Sequence, residues 1–120
     1  TYISSLAYPA GESKHGPISV IEEGIPVVFI CPDDETRKDI IGNIMEMKAR
    51  GAKIITLCPE GDEEVKNLSD DYIEMPRGIP EILSPIPYIT PLQLLAYYLA
   101  VERNLDPDKP RNLAKSVTVP

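Results

Sequence analysis

Twelve Lys+Arg against 19 Asp+Glu leave the 120-residue chain with a formal net charge of −7. This argues against nucleic acid or an anionic membrane as partner, since either needs a basic face, while a small phosphorylated ligand stays open. At this length one domain buries roughly two thirds of its unfolded surface without disulfide or metal staples. Two Cys and no signal-like start indicate a reducing compartment, the cytoplasm, and the opening Thr1-Tyr2-Ile3 reads as part of something longer.

Residues 2–8 read as a strand and residues 11–21 as a short helix with Gly16-Pro17 in its first turns. Pro26-Val27-Val28-Phe29-Ile30-Cys31 is a continuous, β-branched apolar run, the pattern of a strand covered on both faces. Pro32-Asp33-Asp34 stops it, and the Asp pair is placed to cap a helix over 35–50 whose apolar positions Ile40, Ile41, Ile44 and Met45 recur at helical spacing. Gly51 suits the left-handed residue after its end. Lys53-Ile54-Ile55-Thr56-Leu57-Cys58 follows as a second buried strand, too far along for a hairpin and right for a parallel crossover. The endings Cys31-Pro32-Asp33 and Cys58-Pro59-Glu60 echo one another.

An acidic stretch over 60–71 reads as a solvated face, and Asp71-Tyr72-Ile73-Glu74-Met75 as a third strand. Residues 82–101 carry no charged side chain and approach the length of a bilayer helix. Pro85, Pro87 and Pro91, with Glu81 and Glu102-Arg103 at the ends, instead indicate a buried soluble helix over 85–103 with the stripe Leu92, Leu95, Ala96, Leu99 and Ala100. After Leu105 the pattern dissolves into a Pro- and Asp-rich tail. Open parallel α/β sheets bind ligands at the carboxyl ends of their strands, here the turns at Tyr8-Pro9, Cys31-Pro32-Asp33 and Cys58-Pro59-Glu60.

Few residues carry chemistry on pattern alone. His15, the single histidine, has no readable tie to a Ser or Cys nucleophile, and a structural or solvated role is the simpler reading. One His with two distant Cys is a poor zinc set. Cys31 and Cys58 lack the CxxC spacing of a redox pair and read as small buried side chains. The acidic stretch lacks the alternating ligand spacing of a calcium loop, and Tyr97-Tyr98 read as core and interface. Lys115 would ordinarily be solvated; carried into a desolvated site by a docked tail, its amine could form a Schiff base with a carbonyl substrate.

Three motifs then resemble one family: Tyr8-Pro9-Ala10-Gly11-Glu12-Ser13-Lys14-His15-Gly16-Pro17, Pro91-Leu92-Gln93-Leu94-Leu95-Ala96-Tyr97, and the closing Asp108-Lys109-Pro110-Arg111-Asn112-Leu113-Ala114-Lys115-Ser116-Val117-Thr118-Val119. They resemble the end of the glucosamine-6-phosphate synthases, glutamine-dependent fructose-6-phosphate aminotransferases that also isomerise their product. The resemblance implies a three-layer, flavodoxin-like α/β sugar isomerase (SIS) domain with a mainly parallel sheet, incomplete at its N-terminal side. It divides the chain into most of a second SIS domain, 1–105, and a C-terminal tail, 106–120. It implies that His15 assists sugar ring opening in the neighbouring subunit of a homodimer, that Lys115 forms the Schiff base with the open-chain sugar beside Ala114, and that Arg111 belongs to the tail that closes the ammonia path. Fructose 6-phosphate and glucosamine 6-phosphate are the implied ligands and the synthase's remaining domains the implied partners, with no metal, organic cofactor, nucleic acid or membrane.

The family's proton-transferring glutamate, glutaminase Cys and Ser/Thr phosphate loops have no counterpart in the 120 residues, so the chain alone is expected to be inactive. The family's strand order also puts a further strand between residues 2–7 and 27–31. The sheet is therefore expected to rearrange, borrow a strand, or leave the N-terminal segment detached. Other readings are a sugar-phosphate-sensing SIS module of a regulator, a related SIS isomerase or deglycase, and a plain dimerisation module; none of these needs the Lys115 tail.

Overall fold

The computed structural model describes residues 1–113. Strands Pro26–Ile30 (β1), Lys53–Pro59 (β2) and Asp71–Met75 (β3) form a three-stranded sheet in that order. Both pairings are parallel, with Val28 opposite Ile55 and Leu57 opposite Ile73. Their β-branched and aromatic side chains suit a pleated surface, and the central β2 is covered on both faces while β1 and β3 stay largely exposed.

Helices Arg37–Lys48 (α1) and Glu63–Leu68 (α2) cover one face. There Phe29, Cys31, Ile54 and Cys58 of the sheet side meet Ile44, Met47 and Val65 in the main core. Burying each of the larger aliphatic side chains contributes roughly 1.5–3 kcal/mol relative to exposure. Thr56 also faces this side, and its hydroxyl is satisfied by Ser69 at 2.7 Å, which donates in turn to the Val65 carbonyl. Helix Pro85–Glu102 (α3) lies on the opposite face, where Tyr88 and Leu92 pack on Leu57 and Met75. The result is the expected α/β/α layering.

Gly51 closes α1 with φ of 89° and accepts the amide of Gly24 at 2.8 Å, which turns the chain directly into β2. At the other end, Asp34 alone acts of the expected Asp pair. Its Oδ1 accepts both the amide and the hydroxyl of Thr36, at 2.8 and 2.6 Å, one residue before α1 begins.

Four expectations are corrected. Residues 1–9 form no strand and stand off the sheet, the detached arrangement among those expected; β1 is left as an open edge with Val28 and Ile30 about two-fifths exposed (38% and 43%). The expected helix over 11–21 is two 3-10 segments, Ala10–His15 and Pro17–Val20, broken where Gly16 takes φ of 138°. The acidic stretch holds α2, whose Val65 is fully buried while its acidic residues face solvent. Finally, α3 is not a buried helix: only Tyr88 and Ala100 are buried, and Ile86, Leu95, Tyr97 and Tyr98 are largely exposed. Tyr97 and Tyr98 pair edge to face with each other rather than entering the core.

Candidate functional site

All three strands end at a proline-bearing turn on the same sheet edge, and the turns enclose a cleft of about 400 Å³. Pro32, Asp33 and Asp34 come from the β1 end, Pro59 from β2, and Pro76, Arg77 and Gly78 from β3; Glu81, Ser84 and Tyr88 close it from the start of α3. This is where a parallel α/β sheet presents a ligand, because diverging loops leave a crevice there. Two of the three turns expected at the site are present. The Tyr8-Pro9 turn is not, because its strand does not form, and the β3 turn takes its place. That turn has a sequence signal that the first two suggested: Met75-Pro76-Arg77 repeats the strand-proline-charge ending a third time.

The electrostatics of the cleft limit its chemistry. Asp33, Asp34 and Glu81 face it with Arg77 as the one cation among its lining residues. The Arg77 Nε is itself tied to the Glu60 carbonyl. Burial pushes the Tyr88 phenol up to about 12, so it stays a neutral O–H at working pH. Such a lining can hydrogen-bond the hydroxyls of a polar ligand, but three carboxylates against one guanidinium do not favour a phosphate dianion.

Outside the cleft lining, one ionic hub joins the start of α1 to the turn after β2. Arg37, at the start of α1, donates through Nε and Nη2 to both carboxylate oxygens of Asp62, at 3.0 and 2.8 Å, and reaches Glu64 at 2.9 Å. Asp62 caps α2 by accepting the Val65 amide at 3.2 Å. Burial pushes the Asp62 carboxyl upward, but the Arg37 hydrogen bonds and the Val65 amide outweigh it and leave the pKa below its ordinary 3.8. The same bonds raise Arg37 further above its already high range. The hub thus locks the β2–α2 turn to the first turn of α1.

The residues singled out in the sequence fall in separate places. His15 ends the first 3-10 segment, exposed and away from the cleft lining. That segment is docked on α1 through buried Ser13 and a Lys14–Glu46 ion pair of 3.0 Å. Cys31 and Cys58 are free and fully buried, and desolvation raises both thiols, Cys31 to about 12. This is the behaviour of packing residues. Arg111 lies against Tyr2, its guanidinium carbon 4.1 Å from the ring centroid and its amide donating to the Tyr2 hydroxyl at 2.6 Å. Ala114 and Lys115 lie outside the described residues. Sequence reasoning missed Arg77 and Tyr88; the first follows from the triple strand ending, and the second becomes legible only once the chain is folded.

An open parallel sheet between helical layers, with a polar cleft at the carboxyl ends of its strands, defines an α/β domain of the architecture in which ligands sit at that edge. The chain belongs to the SIS-domain family, whose model matches residues 1–103. It is similar to glutamine–fructose-6-phosphate aminotransferases (isomerizing) of Pyrobaculum aerophilum, at 53% identity over 98% of the chain and 19% of the relative, and of Thermococcus kodakarensis, at 54% over 99% and 19%. Among solved structures it resembles the C-terminal domain of glucosamine-fructose-6-phosphate aminotransferase from Francisella tularensis, with a TM-score of 0.82 and 35% identity over 91% of this chain and 31% of that one. The chain spans about a fifth of the length of these curated relatives. Among the described residues no helix is long and apolar enough to cross a membrane.

Proposed function

We propose that the chain is the C-terminal isomerase portion of an enzyme that makes glucosamine 6-phosphate from fructose 6-phosphate and glutamine. The observation that carries this reading is identity of 53 and 54% with two aminotransferases across 98 and 99% of the chain, closing motif included. Residues 1–105 form the larger part of a SIS domain and 106–120 a tail that serves the reaction.

In this reading Lys115, as a neutral amine, adds to the carbonyl carbon of open-chain fructose 6-phosphate, and water leaves as the Schiff base forms. Once protonated, the imine is a stronger electrophile than the ketone, and it holds the sugar in its open form. Ala114 lies beside the substrate. His15 moves the proton that ring opening requires, acting in the partner subunit of a cytoplasmic homodimer; its exposure at the end of a firmly docked segment supports that role. Arg111 belongs to the tail that closes the path for ammonia. The acidic cleft, poorly suited to a phosphate dianion, supports a division of labour in which other parts of the enzyme hold the phosphate. No metal or organic cofactor takes part.

The test is the full-length enzyme with and without Lys115→Ala, assayed for glucosamine 6-phosphate. Loss of product with sugar binding retained is expected. A parent enzyme that binds fructose 6-phosphate but makes no product would favour the regulator reading instead.

A further inference from the structure

His15 is carried by a segment that is fastened from its inner side, by contacts that owe nothing to residues 1–9. Ala10, Ile18 and Ile21 pack on the main core, Ser13 is 2% exposed, and Lys14 pairs with Glu46 of α1 at 3.0 Å. His15 itself is exposed, and Gly16 then turns the chain with φ of 138°.

On the α1 side stands Asn43, only 4% exposed. It lies one turn before both Glu46, which holds Lys14, and Met47, which enters the core. Helix geometry therefore places it at the border between the docked segment and the core. Its Nδ2 donates to the Asp39 carbonyl at 2.8 Å, whereas its Oδ1 is buried and has no hydrogen-bond partner among the described residues. The Nδ2 bond fixes which way the amide faces, because the reverse orientation would set two oxygens against each other. Asparagine is a poor helix former and an unpaired buried acceptor is costly, so this position weakens the fold on two counts. Native structures leave few such atoms without a role. The oxygen is already covered, so a donor must come from the elements that cover it. Among the side chains of 10–15, Ser13 is the buried one, and its hydroxyl is a donor.

We propose that Asn43 and Ser13 are positioning residues: a small inward shift of the 10–15 segment lets the Ser13 hydroxyl donate to Asn43 Oδ1, and that bond sets where His15 is held. The inference rests on the reading of His15 given under proposed function. In the structure the segment is docked with the acceptor unpaired, so its seat has an open position and one closed on the buried amide. A 3-10 turn holds three residues, and fixing Ser13 on its inner side fixes the turn from which His15 projects.

The experiment uses the full-length enzyme, assayed for glucosamine 6-phosphate. Ser13→Ala and Asn43→Leu each remove one partner and should lower kcat about fivefold, the scale of one neutral hydrogen bond, with KM for fructose 6-phosphate within about twofold. The double variant should be no slower than the slower single, because both remove the same bond. Subunit mixing separates this role from a defect in the altered subunit's own fold. Ser13→Ala subunits reassembled with an equal amount of Lys115→Ala subunits should give about 30% of parental activity, against about 10% from the two kept apart, since each mixed dimer has one site served by an unaltered Ser13 segment. Should Asn43→Leu fail to fold as judged by its thermal melt, Ser13→Ala and the mixing carry the test. A His15→Ala enzyme with parental activity overturns the reading beneath the proposal. An impaired His15→Ala enzyme beside a Ser13→Ala enzyme with parental kcat overturns the seat alone. So does a Ser13→Ala mixture without gain where the mixture of His15→Ala with Lys115→Ala recovers.

Discussion

Replacing Asp62 probes how the β2–α2 turn is held to α1. Asp62→Ala removes two charge-assisted hydrogen bonds from Arg37 and the cap on the Val65 amide. The cap contributes about 1 kcal/mol. The ionic pair contributes about 1–2 kcal/mol, below the fully buried range because the Arg37 side chain remains 25% exposed and keeps Glu64. Local opening of α2 should therefore become easier by about 2–3 kcal/mol, or roughly 30- to 150-fold faster amide hydrogen exchange over residues 65–68 of the full-length enzyme. Asp62→Asn keeps a capping oxygen and should show about half that free-energy change. The pH dependence has a fixed sign. A carboxyl whose folded pKa lies below its ordinary 3.8 contributes stability that is fully present above that value and lost as pH falls below it. Exchange over 65–68 in the parent should thus accelerate beyond the intrinsic trend only below about pH 4, and Asp62→Asn should remove that step. Exchange changed less than threefold by Asp62→Ala, or a step that persists in Asp62→Asn, would refute the reasoning.

Gly51→Ala should cost about 2–4 kcal/mol, because φ of 89° is strained for any side chain and a Cβ would lie 3.0 Å from the Glu23 Cα; a melt of the full-length variant within 1 °C of the parent would contradict this. Cys31 and Cys58, with no exposed surface and raised thiol pKa values, should resist thiol reagents at pH 8 until the protein is denatured; fast labelling in the native state would show that the core opens. If His15 acts across a homodimer, an equal mixture of reassembled His15→Ala and Lys115→Ala enzymes should recover about a quarter of parental activity, since half the dimers are mixed and each carries one intact site. No recovery would place both residues in one subunit's site, and a His15→Ala enzyme that is active by itself would remove His15 from it.

What the sequence revealed follows from how local each cause is. β1, β2 and α1 were legible because a continuous β-branched run and a helical apolar period dictate their form without help from distant chain. Residues 2–8 have strand-like composition, but a strand exists only through its ladder, and no neighbour pairs with them. Helix α2 was hidden because its acidic residues mask Val65 and Leu68, three residues apart on the inner side. In α3 the apolar residues run all round the helix, so the pattern indicated burial without showing which side is covered; only the side bearing Tyr88 and Leu92 meets the sheet. The cleft position came from strand order, whereas Tyr88 depends on where α3 packs. The roles proposed for His15, Arg111, Ala114 and Lys115 rest on resemblance, since spacing gives His15 no partner and the tail no core.

The most direct measurement of the central claim is glucosamine 6-phosphate formation by the full-length enzyme from fructose 6-phosphate and glutamine, parent against Lys115→Ala. Product from the parent and a loss of at least about a thousandfold in the variant, the scale expected when a covalent nucleophile is removed, is the predicted result. Equal turnover by both would contradict the assignment of the tail, and no turnover by either, with sugar phosphate still bound, would contradict the enzyme itself.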